Sequence, residues 1–291
     1  MCAVSAAPLV LDEPAWRARA AAHRARVERW TLPHRERRRR GEPHPVLDFL
    51  FTYYSLRPAR LEQWQPGPDV LLRGGDELLD VPGHVRDGES VRLDVGALPG
   101  RVAGTAAFVR DLLVATAGRP PRLSCFGLHE WAMVYRSDAP RHGQVPLRLG
   151  AAGTDALVES LPVHCTHHDA FRFFTEPARP LNALQPERAH QVANEQPGCL
   201  HATMDLYKWA YKLSPATPAE LLADCFELAV DVRELDMQAS PYDLADLGYS
   251  PVAVETAAGR AEYARAQAEF ARRAAPLRSR LVELCDRIIS A

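Results

Sequence analysis

Five short segments of this chain combine histidine or acidic residues with aromatic residues. They lie at residues 44–54, 125–131, 165–174, 199–209 and 233–243. A charged side chain among large apolar ones must reach a partner, a ligand or the surface, because burying it alone costs free energy. Five such segments in one chain predict a shared pocket lined by carboxylates, imidazoles and aromatic rings.

Two His–Asp pairs have the spacing of neighbours on one helix face. His201 and Asp205 lie four residues apart in a predicted helix, and His44 and Asp48 have the same spacing. Lys208 continues near the His201 face. Residues at this spacing can interact. The pattern is typical of an intrahelical hydrogen bond, and equally of an acid/base pair whose carboxylate fixes the imidazole tautomer.

Glu130 lies between His129 and Trp131. A carboxylate beside an indole is partly removed from water, which suits a general acid or base. The alternative is a solvent-exposed glutamate that is adjacent in sequence to a buried tryptophan.

Two Cys-x-His pairs offer the ligand types of a zinc site. Cys165 with His167, and Cys199 with His201, could together complete a tetrahedral set. The spacing within each pair is shorter than in zinc fingers, and cysteines are common in protein cores. A plain core role is therefore the alternative.

Rings and arginines suggest a further kind of ligand. Tyr53, Tyr54 and Trp131 could stack on a planar base, although rings at such positions are also typical of a core. The run Arg37, Arg38, Arg39 and Arg40 ends a segment, residues 12–40, whose net charge is +6. These arginines could contact phosphates, and a solvated helix end is the alternative.

Composition limits the classes of function. The chain has 291 residues, 47% of them hydrophobic and 25% charged, which is typical of a soluble globular protein. The net charge of −2 disfavours a broad basic surface for nucleic acid. No apolar run approaches the roughly 20 residues that span a bilayer. Six cysteines without a Cys-x-x-Cys motif favour reduced thiols and a cytoplasmic protein. Phosphate-loop, dinucleotide, serine-hydrolase and zinc-protease motifs are absent from the sequence.

The patterns predict a mainly α protein, a single helical domain with a small β-hairpin or meander insertion. Residues 1–40 are expected to form an Arg-rich N-terminal helix and linker, and residues 41–291 the helical domain that carries the site. The insertion is predicted over 69–95, with short strands also at 146–149 and 161–166. Further helices are predicted at 104–117, 155–160, 198–213, 218–236 with Thr217 as N-cap, and 258–289.

Three segments carry a resemblance to a known family. Residues 44–54, 127–135 and 196–212 resemble a family common in actinobacteria that is often labelled 3-methyladenine DNA glycosylase, and the resemblance covers most of residues 41–275. It implies hydrolysis of the N-glycosidic bond of an alkylated purine, with damaged DNA or a nucleoside-like small molecule as partner and no required cofactor. The helix-hairpin-helix motif of one glycosylase class is not matched, so its catalytic aspartate cannot be carried over.

The leading hypothesis is therefore a base- or nucleoside-directed hydrolase. Candidate catalytic residues that orient water, stabilise the sugar cation or bond the base are Glu130, Asp169, Asp205, His129 and His201. Candidate substrate-binding residues are Tyr53, Tyr54, Trp131, His44, Asp48 and Lys208. The first alternative is a helical metalloenzyme that uses zinc or iron. Its ligands would come from His167, His201, Glu130, Asp169 and Asp205, or from the Cys–His set. The second alternative is a non-catalytic small-molecule binding protein.

Overall fold

Helices dominate the architecture. A computed structural model describes residues 7–138 and 143–291, and within them eleven α-helices and four short strands form. The helices are α1 (Glu13–Arg40), α2 (Phe49–Thr52), α3 (Pro58–Glu62), α4 (Gly100–Ala117), α5 (Leu128–Ala132), α6 (Gly150–Ser160), α7 (His168–Phe171), α8 (Gln191–Asn194), α9 (Leu200–Lys212), α10 (Ala219–Gln238) and α11 (Ala257–Ile289). The strands are β1 (Leu9–Leu11), β2 (Val70–Arg73), β3 (His84–Asp87) and β4 (Ser90–Leu93). The prediction of a mainly α protein with a small β insertion is confirmed.

The N-terminal helix α1 begins and ends where its capping residues allow. The Asp12 side chain accepts a hydrogen bond from the Ala15 N–H at 3.0 Å. Gly41 ends the helix with φ +71°, a left-handed conformation that glycine adopts without a Cβ clash. The helix packs against α3 and α10, and Arg26 pairs with Asp224 of α10 at 2.8 Å. Helix α1 is therefore held against the rest of the chain along its length.

The four strands form one small sheet in the order β1-β2-β4-β3. Strands β3 and β4 form a hairpin in which Asp87 is opposite Ser90, and β2 joins β4 antiparallel. These three strands match the predicted insertion. Strand β1 adds a parallel neighbour to β2, and it was not predicted, because three residues carry too little periodicity to recognise.

The main core lies between the long C-terminal helices. Helix α9 packs most extensively against α10, and α4 against α11. All residues of α9 from Leu200 to Ala210 are buried, including its polar ones. Tyr207 of α9 and Phe226 of α10 meet edge to face at 4.9 Å between ring centroids. Helix α9 therefore carries its polar side chains into the centre of the molecule.

Two local predictions are wrong. The expected strands at 146–149 and 161–166 reduce to isolated bridges, Leu147 with Tyr242 and Val163 with Asn182, because neither segment finds a neighbouring strand. Thr217 is not the N-cap of α10, since Pro218 takes that position. The Thr217 hydroxyl instead donates to the Ala210 carbonyl at 2.7 Å and ties α9 to the start of α10. No helix in the described ranges has the length and apolar content to cross a membrane.

Candidate functional site

Two groups of buried side chains in the helical core could each hold a metal ion. Each group offers one ligand atom from each of three residues, and those atoms lie within 4.8 Å of one another. Group one is His129, His201 and Asp236, and group two is His167, Glu195 and Asp205. All six side chains are buried.

Group one joins three helices. His129 comes from α5, His201 from the first turn of α9 and Asp236 from the last turns of α10. His129 Nε2 lies 3.0 Å from Asp236 Oδ1, yet neither atom has a hydrogen-bond partner among residues 7–138 and 143–291. The rings of His129 and His201 meet edge to face at 4.5 Å. The other nitrogen of His129, Nδ1, lies 3.4 Å from the Cys125 Sγ, which fixes the orientation of the ring.

Group two brings loop residues onto α9. His167 precedes α7, Glu195 follows α8, and Asp205 lies in the middle of α9. His167 Nε2 lies 3.3 Å from Glu195 Oε1 and 3.4 Å from Asp205 Oδ2. Within the described part of the chain, this nitrogen also has no hydrogen-bond partner. In both groups the polar atoms approach one another without forming the hydrogen bonds that buried groups normally make.

The two groups are neighbours. The rings of His167 and His201 stack at 5.3 Å between centroids. His201 and Asp205 do lie on one face of α9, as their spacing indicates, but each belongs to a different group. The expected acid/base pair between them does not form, and α9 instead supplies one ligand to each group.

The charges around the two ligand aspartates keep both ionised. Burial opposes ionisation of Asp205, but the Lys208 ammonium and His167 outweigh it and lower the pKa of Asp205 well below its usual range. Burial likewise opposes ionisation of Asp236, and His129 outweighs it and lowers the pKa of Asp236 well below its usual range. Both side chains are therefore anions in a low-dielectric interior.

The histidines respond to the same charges. Burial lowers the pKa of His129, but Asp236 raises it by more, so the net shift is well upward. For His167, burial is outweighed by Glu195 and Asp205, which raise its pKa to about 9. Burial, and then repulsion from His129, lower the pKa of His201 well below its usual value. The region attracts positive charge at two places, one in each group.

Further side chains orient the ligand carboxylates of group two. Lys208 Nζ contacts Asp205 Oδ2 closely and lies 3.2 Å from Asp169 Oδ2. The Tyr54 hydroxyl donates to Asp205 Oδ1 at 2.7 Å. Gln191 Nε2 donates to Glu195 Oε1 at 2.6 Å. Tyr54 and Lys208, predicted to bind substrate, thus act on a ligand carboxylate, and Asp169 lies one contact further out.

Arg233 performs the corresponding role in group one. Its Nη1 lies 3.0 Å from Glu130 Oε1 and 3.3 Å from Asp236 Oδ2, and its guanidinium lies 3.9 Å from the Phe49 ring centroid. Glu130 is therefore held in a buried ion pair, whereas an acid beside an indole was expected. Trp131 is fully buried, and its Nε1–H donates to the Ala239 carbonyl at 2.8 Å. The structure places Trp131 in the core and not against a substrate.

Three cavities approach these residues. A cavity of about 250 Å³ reaches His129 and His201, and Cys125, Cys165 and Cys199 are in its wall. A small cavity of about 20 Å³ is lined by Glu130, Asp169, His201 and Tyr53, among others. His44 lies instead in a separate pocket of about 780 Å³ with Asp48 and Tyr53. All five segments thus contribute to the cavity of about 20 Å³, because Arg233 also lines it, although His44 itself lies elsewhere.

The proposed Cys–His metal set is not assembled. His167 and His201 belong to different groups, and in the described part of the chain the close ligand groups contain no thiol. Burial raises the pKa of Cys165 to about 12 and that of Cys199 well above its ordinary value. Both thiols therefore keep their protons in the metal-free protein. Carboxylates take the places expected for cysteines.

The His44–Asp48 pair also differs from its prediction. The segment from 45 to 48 is a turn and not a helix. Asp48 Oδ2 accepts the backbone N–H of His44 at 2.8 Å, while the backbone N–H groups of Val46 and Leu47 donate to His44 Nδ1. The imidazole and the carboxylate each bond backbone and do not bond each other.

Arg37 is the main ionic partner of Asp48, with Nη2 2.5 Å from Oδ1. Arg40 pairs with Glu42 at 2.8 Å on the surface. Arg38 and Arg39 are both exposed, and they line a shallow surface depression beside α1. Of the four arginines predicted to bind nucleic acid, Arg37 is thus occupied in holding the chain together.

Two members of these groups, Asp236 and Glu195, were not predicted as site residues from the sequence. Asp236 lies in one of the five segments but was assigned no role, although its spacing from Arg233 places both on one face of α10. Glu195 lies in the polar stretch Asn194-Glu195-Gln196, which reads as an ordinary surface loop. No local signal distinguishes this glutamate.

Comparison with protein-family models, with curated proteins and with solved structures finds no match. The resemblance to the glycosylase-labelled family therefore stays a prediction.

Proposed function

We propose that this protein is a metal-dependent enzyme with two neighbouring divalent-cation sites in its helical core. One observation carries the proposal: His129 Nε2 and Asp236 Oδ1, and likewise His167 Nε2 and Glu195 Oε1, lie 3.0–3.3 Å apart without a hydrogen bond to the nitrogen. Buried polar atoms that converge and remain unpaired are typical of ligands that share a cation.

The balance of charge supports the same conclusion. Four buried carboxylates surround the two groups: Glu130, Glu195, Asp205 and Asp236. Two buried cations form ion pairs with members of this set, Arg233 with Glu130 and Asp236, and Lys208 with Asp205. Burying excess negative charge is costly. In the metal-free protein the raised pKa values of His129 and His167 let their imidazoles supply the remaining countercharge, and bound cations would displace those protons.

The ligand types fit zinc or iron. Group one offers two histidines and one carboxylate, a set used by non-haem iron enzymes and also by catalytic zinc sites. Group two offers one histidine and two carboxylates, which suits the same metals. When bound, such a metal supplies Lewis acidity and a water that ionises more readily than bulk water.

The chain's own contribution is to position the ligands. Cys125 fixes the His129 ring, Arg233 holds Asp236, and Tyr54 with Lys208 holds Asp205. Such outer contacts set ring and carboxylate orientation at metal sites. The cavity of about 250 Å³ beside group one admits a small substrate, or the reacting end of a larger one.

Metal analysis tests this proposal directly. Protein purified without added metal should contain zinc or iron, measured by mass spectrometry, at up to two ions per chain. Asp236→Asn should lose the ion of group one, and Glu195→Gln that of group two. His190→Ala, which removes an exposed histidine, is the matched control and should keep both. Wild-type protein that is metal-free and binds neither zinc nor ferrous iron in a titration would refute the proposal.

We propose hydrolysis of an N-glycosidic bond as a second candidate function. The observation that favours it is the pocket of about 780 Å³, which places the rings of Phe49, Phe51 and Tyr53 beside His44 and Arg38. Rings can stack on a base, and an arginine at the rim can contact a phosphate. The test is release of free base from methylated DNA. If wild-type, metal-loaded protein releases none, the glycosylase assignment fails while the metal sites stand, and if both tests fail a binding protein is left.

A further inference from the structure

A basic groove lies between α4 and α9, next to group two. Its volume is about 490 Å³, and four cations line it, with one carboxylate, Asp169, among them. The cations are Arg101 of α4, Arg188 just before α8, and Lys208 and Lys212 of α9. Asp169 is already engaged with Lys208 at 3.2 Å and with Arg172 at 3.5 Å. The groove therefore carries a clear excess of positive charge.

Three of these cations lack an anionic partner. Across residues 7–138 and 143–291, no carboxylate lies within ion-pair distance of Arg101, Arg188 or Lys212. Partial desolvation, followed by repulsion from Lys208, lowers the pKa of Lys212. Unpaired like charges that face one cavity repel one another, so an anion that enters the groove relieves that repulsion.

Aromatic side chains form part of the same wall. Phe108 of α4 and Trp209 of α9 meet edge to face at 5.7 Å, and Phe108 is exposed. Lys208 Nζ and Lys212 Nζ lie 4.4 and 5.3 Å from the Trp209 ring centroid. The groove thus offers an apolar surface beside its cations, which suits an organic molecule that bears an anionic group.

The floor of the groove contacts the ligands of group two. Lys208 bonds Asp205, and Gln191, which also lines the groove, donates to Glu195. An anion held there lies one side chain away from the second metal group. A cavity of this size accommodates a small molecule, whereas the overall charge of −2 offers no broad surface for a polyanion.

We propose that the groove formed by Arg101, Arg188, Lys208 and Lys212 binds the phosphate group of a small phosphorylated substrate. The identification of this ligand as a substrate rests on the proposed metal-dependent activity, but binding of the phosphate does not. Arginine and lysine are the side chains that recognise phosphate, because their hydrogen bonds to it are charge-assisted.

Calorimetry with adenosine 5′-monophosphate and with adenosine as probes tests the proposal on the protein as purified. Each charge-assisted bond is strong, so the phosphate should tighten binding at least about tenfold. The double variant Arg188→Gln/Lys212→Gln should lose that advantage, and the wild-type advantage should shrink as salt rises. A phosphate could also bind a metal directly, and that too would make the nucleotide bind more tightly than the nucleoside. The deciding result is therefore loss of this difference in affinity in the double variant.

The matched control is Arg19→Gln/Arg73→Gln, which removes the same charge from exposed side chains of α1 and β2 that do not line the groove. It should bind the nucleotide within about twofold of wild type, since neither side chain lines the groove and salt screens exposed charges. Equal affinity for nucleotide and nucleoside, or equal weakening in both double variants, would overturn the proposal. The proposal would also be overturned if duplex DNA bound in a way that depended on Arg188 and Lys212 while the nucleotide did not bind. Metal content, measured on the same samples, separates failure of the groove from failure of the metal sites.

Discussion

Two clusters in this protein are built from the same residue types and behave differently. The outer cluster consists of His34, Arg37 and Asp48, where α1 meets the turn before α2. Asp48 there lies 2.8 Å from His34 Nδ1, 2.5 Å from Arg37 Nη2, and accepts a backbone N–H. The inner pair, His129 and Asp236, lies at a similar distance, 3.0 Å, but without a hydrogen bond.

The difference shows what residue types alone do not decide. In the outer cluster a guanidinium supplies the countercharge and every contact is a hydrogen bond, so the cluster is complete. In the inner groups the polar atoms converge on a point between them. The cations beside these groups are shared, Arg233 between Glu130 and Asp236, and Lys208 between Asp205 and Asp169. The outer cluster is complete as it stands, whereas we propose that the inner groups bind a further cation.

Metal removal should therefore separate the two clusters most strongly. Stripping the protein with a chelator should lower its Tm by several degrees, because a ligand held at about a thousand times its Kd contributes about 4 kcal/mol to folding. Adding back zinc or ferrous iron should restore the Tm. Differential scanning calorimetry measures both. A Tm that does not move, in protein shown to have lost its metal, contradicts the role of the inner groups.

Asp48→Asn should break the outer cluster without touching the metal. It leaves the largely buried Arg37 guanidinium without a countercharge, and should lower the free energy of unfolding by about 3 kcal/mol, the scale for broken buried pairs. Urea unfolding measures the loss, and metal content should be that of wild type. Glu42→Gln, which removes an exposed ion pair with Arg40, is the control and should cost less than about 1 kcal/mol. Similar losses in both variants would show that the outer cluster has no special strength.

The contribution of Asp48 should depend on pH in a defined direction. Burial raises the pKa of Asp48, but Arg37 and His34 lower it by more, so its folded pKa lies below the unfolded value. A group with a depressed folded pKa stabilises the protein above its unfolded pKa, near 3.9, and that stability is lost as pH falls through the folded pKa. The stability difference between wild type and Asp48→Asn should thus be constant from about pH 5 to 7 and shrink below about pH 4. A difference that grows on acidification would have the wrong sign.

Local sequence signals are sufficient for most of the helices. Helix α9 was predicted within two residues at each end, because its apolar residues recur at helical spacing and Ser214-Pro215 stops it. Helix α1 was predicted from its alanines and arginines and from Gly41. The segments 146–149 and 161–166 failed because a short apolar run is equally compatible with a strand and with a buried loop.

The site was predictable only in part, for a physical reason. His129, His167, His201 and Asp205 were identified because they stand out among apolar neighbours. Glu195 was not, since its burial results from the packing of α8 against α4 and is not encoded near it. Nor could the sequence show that His201 and Asp205 serve different groups, because that depends on where α5, α10 and the loop before α7 meet α9.

The smallest expected effect concerns a residue that positions a ligand. Tyr54→Phe removes the hydroxyl that donates to Asp205 Oδ1 at 2.7 Å and leaves the ring, which packs edge to face on Tyr207, in place. Outer contacts of this kind are worth about tenfold or more in metal affinity, so the ion of group two should bind about tenfold more weakly. Competition with a chelating dye measures this affinity for the two sites.

Tyr53→Phe is the matched control for Tyr54→Phe. The Tyr53 hydroxyl donates to the Asp169 backbone carbonyl at 3.3 Å and contacts no ligand atom, so its removal should leave both affinities within about twofold. If the two variants weaken the ion equally, the effect comes from disturbed packing of neighbouring rings. If only Tyr54→Phe does so, and only at the site that Glu195→Gln also empties, the hydroxyl acts through Asp205. Because group one keeps its own support from Cys125 and Arg233, its affinity should not change in either variant.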